Sequence, residues 1–289
     1  MDGVLMNFLR KIKSGYYRIV VRGPRYLEGA LKGNAVRAYW YRDIKNFGDL
    51  LTPALLRHFG FTPVHTSPVK AEMISVGSIL EHVAESFSGT VIGSGFIHES
   101  SRMDLQFAQI QSVRGPLTRE RLSARHRKVS LGDPGLLAPL LLSTRPKKRF
   151  IVGVLPHHAN LDPAYLSKIA TIYRHEIKVI NVMDDPICVI KKISECEHIL
   201  SSSLHGLIVA DALGIPNAWV EENSLLGGGF KFYDYYASLG VDHVNPVHLK
   251  GHETLCELTK HTSIRPQERI FELQNSITNI FENLRKNMQ

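Results

Sequence analysis

Cys196-Glu197-His198-Ile199-Leu200-Ser201-Ser202-Ser203-Leu204-His205-Gly206-Leu207-Ile208-Val209-Ala210-Asp211-Ala212-Leu213-Gly214-Ile215-Pro216 is the stretch that decides the fold. An apolar run of strand length meets three serines. An apolar run of helix length follows and stops at Gly214 and Pro216. Serine is a good helix N-cap, glycine commonly follows a helix C-terminus, and proline blocks continuation. The pattern predicts a buried strand, a serine turn, and a helix running from Leu204 to Leu213. The free N–H groups and positive dipole end at such a helix start form an anion site. His205 lies in the first turn, where its side chain reaches the same anion.

Outward from this stretch, strands and helices keep alternating. Arg149–Leu155 reads as a buried strand ending in Pro156-His157-His158. A helix over Pro163–Tyr173, a strand over Lys178–Asn181, a helix over Pro186–Cys196 and a strand over Asn217–Val220 complete this unit. Such alternation indicates parallel βαβ units. Ser143–Lys148 is polar, basic and broken by proline, and marks a boundary. Before it, a strand over Val36–Tyr41 is followed by Asn46-Phe47-Gly48-Asp49 and a helix over Leu50–His58, stopped by Gly60. Strands over Glu72–Ser78, Thr90–Gly95 and Leu105–Val113 follow, with a short helix over Ile79–Ser86. Gly93 and Gly95 lack the third glycine and long helix of a dinucleotide fingerprint. The fold class is therefore α/β, with two Rossmann-like units facing a cleft. The expected division is a basic N-terminal arm at 1–34, a first unit at 35–145 and a second at 146–265. A C-terminal helix at 266–289 carries Ile270, Leu273, Ile277, Ile280, Phe281 and Leu284 on one face, and is expected to pack back on the first unit.

Several residues stand where α/β proteins place ligands, at strand ends. Arg114 precedes Gly115-Pro116, and its planar guanidinium suits a carboxylate or phosphate. Asp49 is either a helix N-cap or a carboxylate that orients a hydroxyl or acts as a base. Asp133, in Gly132-Asp133-Pro134, reads as a helix cap. His157 ends a strand; adjacent histidines do not share a helix face and no other ligand completes a set, so no metal is expected. Glu221-Glu222 are candidate acids or a solvated pair. After three glycines comes Lys231-Phe232-Tyr233-Asp234-Tyr235-Tyr236, a lysine followed by aromatic residues.

The chain has 289 residues and a formal net charge of +8, a balance that favours anionic partners. Basic clusters lie at Arg10–Lys13, Arg119–Lys128 and Arg145–Arg149, without zinc-finger spacing or a basic-aromatic RNA signature, so no nucleic-acid partner is expected. No apolar run reaches the roughly 18 residues of a membrane span. The N-terminus has its basic residues after its apolar ones and makes a poor signal peptide. The arm is an amphipathic candidate for peripheral contact with an anionic membrane. The three cysteines, Cys188, Cys196 and Cys256, lack metal spacing and read as reduced thiols, which points to the cytoplasm.

Ser203-Leu204-His205-Gly206-Leu207-Ile208-Val209-Ala210-Asp211-Ala212-Leu213-Gly214-Ile215-Pro216 resembles the hallmark of the polysaccharide pyruvyltransferase family. Asn46-Phe47-Gly48-Asp49, Arg114-Gly115-Pro116-Leu117-Thr118, Gly132-Asp133-Pro134, Pro156-His157 and the Lys231 segment resemble further family motifs, covering most of the chain from Tyr39 to Gly240. The resemblance implies transfer of the enolpyruvyl unit of phosphoenolpyruvate to sugar hydroxyls of a surface polysaccharide or its lipid-linked precursor at the inner membrane face. The product would be a pyruvate ketal, with phosphate released and no cofactor. It implies a glycosyltransferase-B-like architecture. His205 would be the catalytic acid or base, Arg114 would stabilise the donor's charge, and Asp49 would orient the acceptor. Ser202, Ser203, Gly206, His157 and Lys231 would join Arg114 and His205 around the donor, while Tyr233 and Tyr235 would stack on the acceptor sugar. One departure stands out: many family members carry arginine where this chain has Ser203. A nucleotide-sugar glycosyltransferase of the same architecture, or a non-catalytic glycan-binding assembly protein, are the competing readings.

Overall fold

A computed structural model describes Gly29, residues 33–221 and residues 226–288. Most of the 1–34 arm, with its membrane contact, and Glu222 lie outside the described residues. The first unit runs β1 (Ala35–Tyr39), α1 (Phe47–His58), β2 (Thr62–His65), β3 (Met73–Ile74), β4 (Thr90–Ser94), β5 (Gln109–Val113), α2 (Pro116–Glu120) and β6 (Ser130–Leu131). Its six strands form one parallel sheet in the order β2-β1-β3-β4-β5-β6. A 3-10 segment, Pro134–Leu141, leads out of it.

The second unit runs β7 (Phe150–Leu155), α3 (Ala164–Ile172), β8 (Ile177–Val179), α4 (Pro186–Ser194), β9 (Cys196–Ser201), α5 (Leu204–Ala212), β10 (Asn217–Trp219) and α6 (Phe230–Ser238). Its four parallel strands take the order β10-β9-β7-β8. Counted from their own first strands, both sheets begin 2-1-3-4. That order reverses direction once, between β1 and β3 in the first unit and between β7 and β9 in the second. Open α/β sheets bind ligands outside the carboxyl ends of the strands at such a reversal. The expected α/β class holds, with two parallel-sheet units.

Local differences from expectation have local causes. Helix α1 starts at Phe47 because Asn46 caps it, its Oδ1 accepting from Gly48 N at 3.0 Å. Asp49 is therefore in the first turn and not the cap. Strand β2 was not anticipated because Pro63 interrupts the pattern; it occupies the sheet edge, where a missing N–H is tolerated. The helix expected at 79–86 is one 3-10 turn, Leu80–His82. The strands expected at 72–78 and 105–113 shorten to β3 and β5. A further helix, α7 (Leu255–Lys260), had no sequence signal beyond its capping box from Thr254 and Glu257.

A shared apolar core joins the units. Leu51, Leu55 and Leu136 of the first side meet Ile190, Leu207 and Ile208 of the second. The N–H of Phe47 donates to Val182 O at 2.8 Å across the junction. The final helix, α8 (Gln267–Lys286), buries Ile270, Leu273, Ile277 and Phe281. Phe281 stacks on Phe59 with ring centroids 4.7 Å apart, and Gln274 Nε2 donates to Leu136 O at 2.9 Å.

A polar tie lies within this junction. The Nε of Arg114, on the β5–α2 loop, donates to Asp234 Oδ2 of α6 at 2.9 Å, with both side chains fully buried. Thr118 N and Oγ1 also donate to Asp234, at 2.8 and 2.6 Å. Gly115 makes the approach possible, since any Cβ there would strike the Asp234 carbonyl. Removing one partner strands a charge in the interior, which costs about 3–5 kcal/mol. We expect Asp234→Ala to lower unfolding stability by about that amount in urea titration. A loss below about 1 kcal/mol, the range of exposed pairs, would show that the pair is not a structural tie.

Candidate active site

The two sheet reversals open on one cavity of about 340 Å³. Its lining follows the strand ends: Tyr41 and Asp49 after β1, Ser78 after β3, Ile97 after β4, His157 and His158 after β7, Ser203 and His205 after β9. Lys231, at the start of α6, closes one side with Leu226; His82 and Ile44 lie at the mouth.

Helix α5 sets His205. Every residue of α5 is buried, so the helix has no solvent face and its start is fixed by packing on both units. Ser203 is its N-cap but makes no side-chain cap bond. The cap-like bonds are made by Ser201, whose Oγ accepts from Ser203 N at 3.0 Å and donates to Ser203 O at 2.9 Å. The imidazole of His205 is packed between α1 and the 3-10 segment. Its Nδ1 lies over Gly48, where any Cβ would collide with it, and Phe47 meets the ring edge-on at 6.5 Å. Burial first, then Lys231 and Arg114, push the imidazole down to about 3.

The other lining groups carry matched perturbations. Burial raises the Asp49 carboxyl to about 7, with Lys231 opposing the rise and Asp133 adding to it. Burial, then Lys231 and His158, lower His157 to about 3. His158 is lowered by burial and Lys231, and its ring packs on His157 at 4.1 Å. Titratable groups pushed apart in one cleft are what acid–base chemistry requires. Lys231, His157 and His158 line the cavity from the second unit, and Asp49, Tyr41 and His82 line it from the first. Tyr39 Oη and His82 Nδ1 are 2.7 Å apart, which fixes the His82 ring.

A family model for polysaccharide pyruvyl transferase matches residues 8–224. The chain belongs to that family. Succinoglycan biosynthesis protein ExoV of Rhizobium meliloti (strain 1021) is 29% identical over 214 residues, which are 70% of this chain and 64% of that protein. An uncharacterized protein of Acanthamoeba polyphaga mimivirus is 34% identical over 177 residues, 58% of this chain and 60% of that protein. The matches thus span less than two thirds of either relative. A crystal structure of an α1,3-fucosyltransferase with GDP aligns over 85% of this chain and 91% of its own at 9% identity, with a TM-score of 0.24, too low to argue from.

For a pyruvyl transferase-family chain, the site gathers only part of the anticipated set. His205, Asp49, Ser203, His157 and Lys231 share the cavity. Arg114 does not: its guanidinium is fully buried and engaged by Asp234, Ser78 Oγ and, at 2.6 Å, Phe96 O. It stands behind the wall that Ser78 forms and cannot clasp a donor directly. Ser202 is buried, its N–H donating to Leu155 O at 3.1 Å, and Gly206 is packed against Ser201 with its N–H donating to Ser203 O at 3.0 Å. Tyr235 cannot stack on a sugar, because it is fully buried and its hydroxyl donates to Asp211 Oδ2 at 2.8 Å. Tyr233 is exposed but lies edge-on to Trp219 at 5.4 Å, outside the cavity lining. The aromatic residues that do line it, Tyr41 and His82, carry no motif, and their position after a strand end is their one sequence signal. Among the described residues no cluster of three or more His, Cys, Asp or Glu side chains is arranged to hold a metal ion. No described helix is long and apolar enough to cross a membrane.

Asp49 yields a pH prediction. Its carboxyl sits at about 7 in the folded chain and near the ordinary 3.9 when unfolded. Between those values the folded state holds the extra proton, so this group's contribution to stability falls as pH rises from about 4 to about 7. Asp49→Asn removes that loss. The melting temperature of Asp49→Asn should therefore gain on wild type between pH 4.5 and pH 8. An equal difference at both pH values would show that the carboxyl is not raised.

Proposed function

We propose that this chain transfers pyruvate from phosphoenolpyruvate to sugar hydroxyls of a polysaccharide or its lipid-linked precursor, forming a ketal and releasing phosphate. One observation carries the reading: in a chain of this family, both sheet reversals open on one cavity that Lys231, His157 and His158 line together with His205 and Asp49. Lys231, His157 and His158 suit the donor's phosphate and carboxylate. The N-terminus of α5 adds a positive dipole end beside them. Tyr41 and His82 offer ring faces at the mouth for the acceptor sugar, and Asp49 orients its hydroxyl.

His205 is neutral at physiological pH, because burial and the nearby cations hold it down. A neutral imidazole is a base. It takes the proton of the acceptor hydroxyl and delivers a proton to the donor's methylene carbon, which becomes the methyl group. The double-bond pair forms that C–H bond, C2 becomes electrophilic, and the acceptor oxygen bonds to it. A second hydroxyl of the sugar displaces phosphate from C2, its proton leaving with the phosphate, and the ketal closes. The donor anion beside His205 favours the transient imidazolium. Proton transfer by a positioned group contributes about 10²–10⁴-fold. The free thiols Cys188, Cys196 and Cys256 suit a reducing compartment such as the cytoplasm. The net charge of +8 suits an acceptor presented at an anionic membrane face.

The test is phosphate release from phosphoenolpyruvate with a panel of galactosides, mannosides and glucosides. Release should require an acceptor and fall about 10²-fold or more in His205→Ala. Failure of any acceptor to elicit release, with a thermal shift by a nucleotide sugar and none by phosphoenolpyruvate, would replace this reading with a glycosyltransferase.

A further inference from the structure

Asp133 and His205 each bury one polar atom that has no hydrogen-bond partner, and the two atoms face each other. Asp133 is fully buried; its Oδ1 caps the 3-10 segment by accepting from Gly135 N at 2.8 Å. Its Oδ2 is unpartnered, as is Nε2 of His205, and the two are 3.9 Å apart. A buried polar atom without a partner is costly, and such atoms in folded proteins are few and often functional. A shift of the imidazole by about 1 Å would bring this pair into hydrogen-bond range, the tightening that occupied active sites commonly show. The cap alone needs only one carboxylate oxygen, so the second is available for another task.

We propose that Asp133 is a positioning residue for His205. Its Oδ2 keeps the imidazole proton on Nε2 and leaves Nδ1, over Gly48, as the nitrogen that meets the acceptor hydroxyl. The inference rests on the pyruvyl-transfer reading for its rate consequences but not for its geometry. The charged and titratable groups around the pair are Arg114, Asp234 and the Tyr235 hydroxyl on the Asp133 side, Lys231 and Arg114 on the His205 side, and Asp49 across the cavity. When His205 gains its second proton, Asp133 offers the nearest buried negative charge. This is the logic by which a carboxylate orients a catalytic histidine and stabilises its cation without taking the proton. Burial raises Asp133 to about 6, against Gly135 N–H and Arg114, so the carboxyl is still mostly ionised at neutral pH.

Asp133→Asn separates the cap from the positioning role. Asparagine caps as well as aspartate. With Oδ1 still accepting from Gly135 N, the amide nitrogen must take the place of Oδ2 and present donors to Nε2. That forces the proton onto Nδ1. The first readout is long-range ¹H–¹⁵N NMR of the histidine rings in the free protein, with His205 assigned through His205→Gln. We expect the Nε2–H tautomer in wild type and the Nδ1–H tautomer in Asp133→Asn. Asp133→Ser keeps a cap but reaches no ring nitrogen, and should show both tautomers. The second readout is phosphate release, where kcat should fall about 10²–10⁴-fold in Asp133→Asn. KM for phosphoenolpyruvate should stay close to wild type, because the loss is confined to the chemical step. An Nδ1–H tautomer in wild type, or one unchanged in both variants, would overturn the proposal, leaving Asp133 a helix cap. Since the spectra need no substrate, that result is distinguishable from failure of the pyruvyl-transfer reading.

Discussion

Helix α5 has no face turned to water, and this constraint organises the molecule. A surface helix can be aimed by one apolar stripe; a helix buried all round must be matched on every side. The matching parts come from different places: β9 and β10 of its own unit, the Pro134–Leu141 segment of the first unit, and α8 from the end of the chain. Such burial obliges the one charged residue of its body, Asp211, to find partners. It accepts from Asn217 Nδ2 at 2.5 Å and from Tyr235 Oη. Tyr235 belongs to α6, and its neighbour Asp234 accepts from Arg114 of the first unit. A buried polar path therefore runs from the β5–α2 loop through α6 to the helix that carries His205. Each step is held because leaving any member unpaired in the interior is expensive.

The repeated 2-1-3-4 strand order explains why one cavity serves both units. Each sheet exposes loop ends at its single reversal, and the shared core turns the two reversals toward each other. The walls then differ because their loops differ. The first unit brings a carboxylate and aromatic rings, Asp49, Tyr41 and His82; the second brings ionisable nitrogens, His157, His158 and His205, with Lys231 beside them. A ligand with an anionic end and a hydroxyl-bearing end fits such a division. Specificity follows from loops, and the sheets supply only their placement.

What was legible in the sequence depended on how local its cause was. The strand, serine turn and helix around His205 are dictated by neighbours in sequence, and so is the amphipathic helix Gln267–Lys286, which the structure reproduces at both ends. Asn46 displaced the start of α1 by three residues because its cap could not be told from Asp49 by spacing alone. Arg114 illustrates the other limit. Its place on a strand-end loop was legible, but its partner Asp234 is 120 residues away, and that pairing turns a surface guanidinium into a buried strut. Tyr235 fails as a sugar platform for the same reason, since Asp211 claims its hydroxyl. Tyr41 and His82 carried no motif; only the convergence of two sheets makes a site of them.

The cavity's electrostatics bear on the one departure from the family pattern. Where many members carry arginine, Ser203 is buried and neutral, and Arg114 is sequestered. A fixed cation at that position would meet a donor anion with a charge already paid for in desolvation. This chain instead lines the space with groups whose charge is conditional. Burial and Lys231 hold His157 near 3 and keep His158 low. An arriving phosphate or carboxylate reverses the local field and favours their protonated forms. Charge then appears with the ligand and leaves with it. On the proposed reading, donor binding should therefore weaken as pH rises, because proton uptake by neutral histidines becomes harder. Lys231 tempers the effect without cancelling it. A lone arginine would show no such dependence, since it remains protonated throughout.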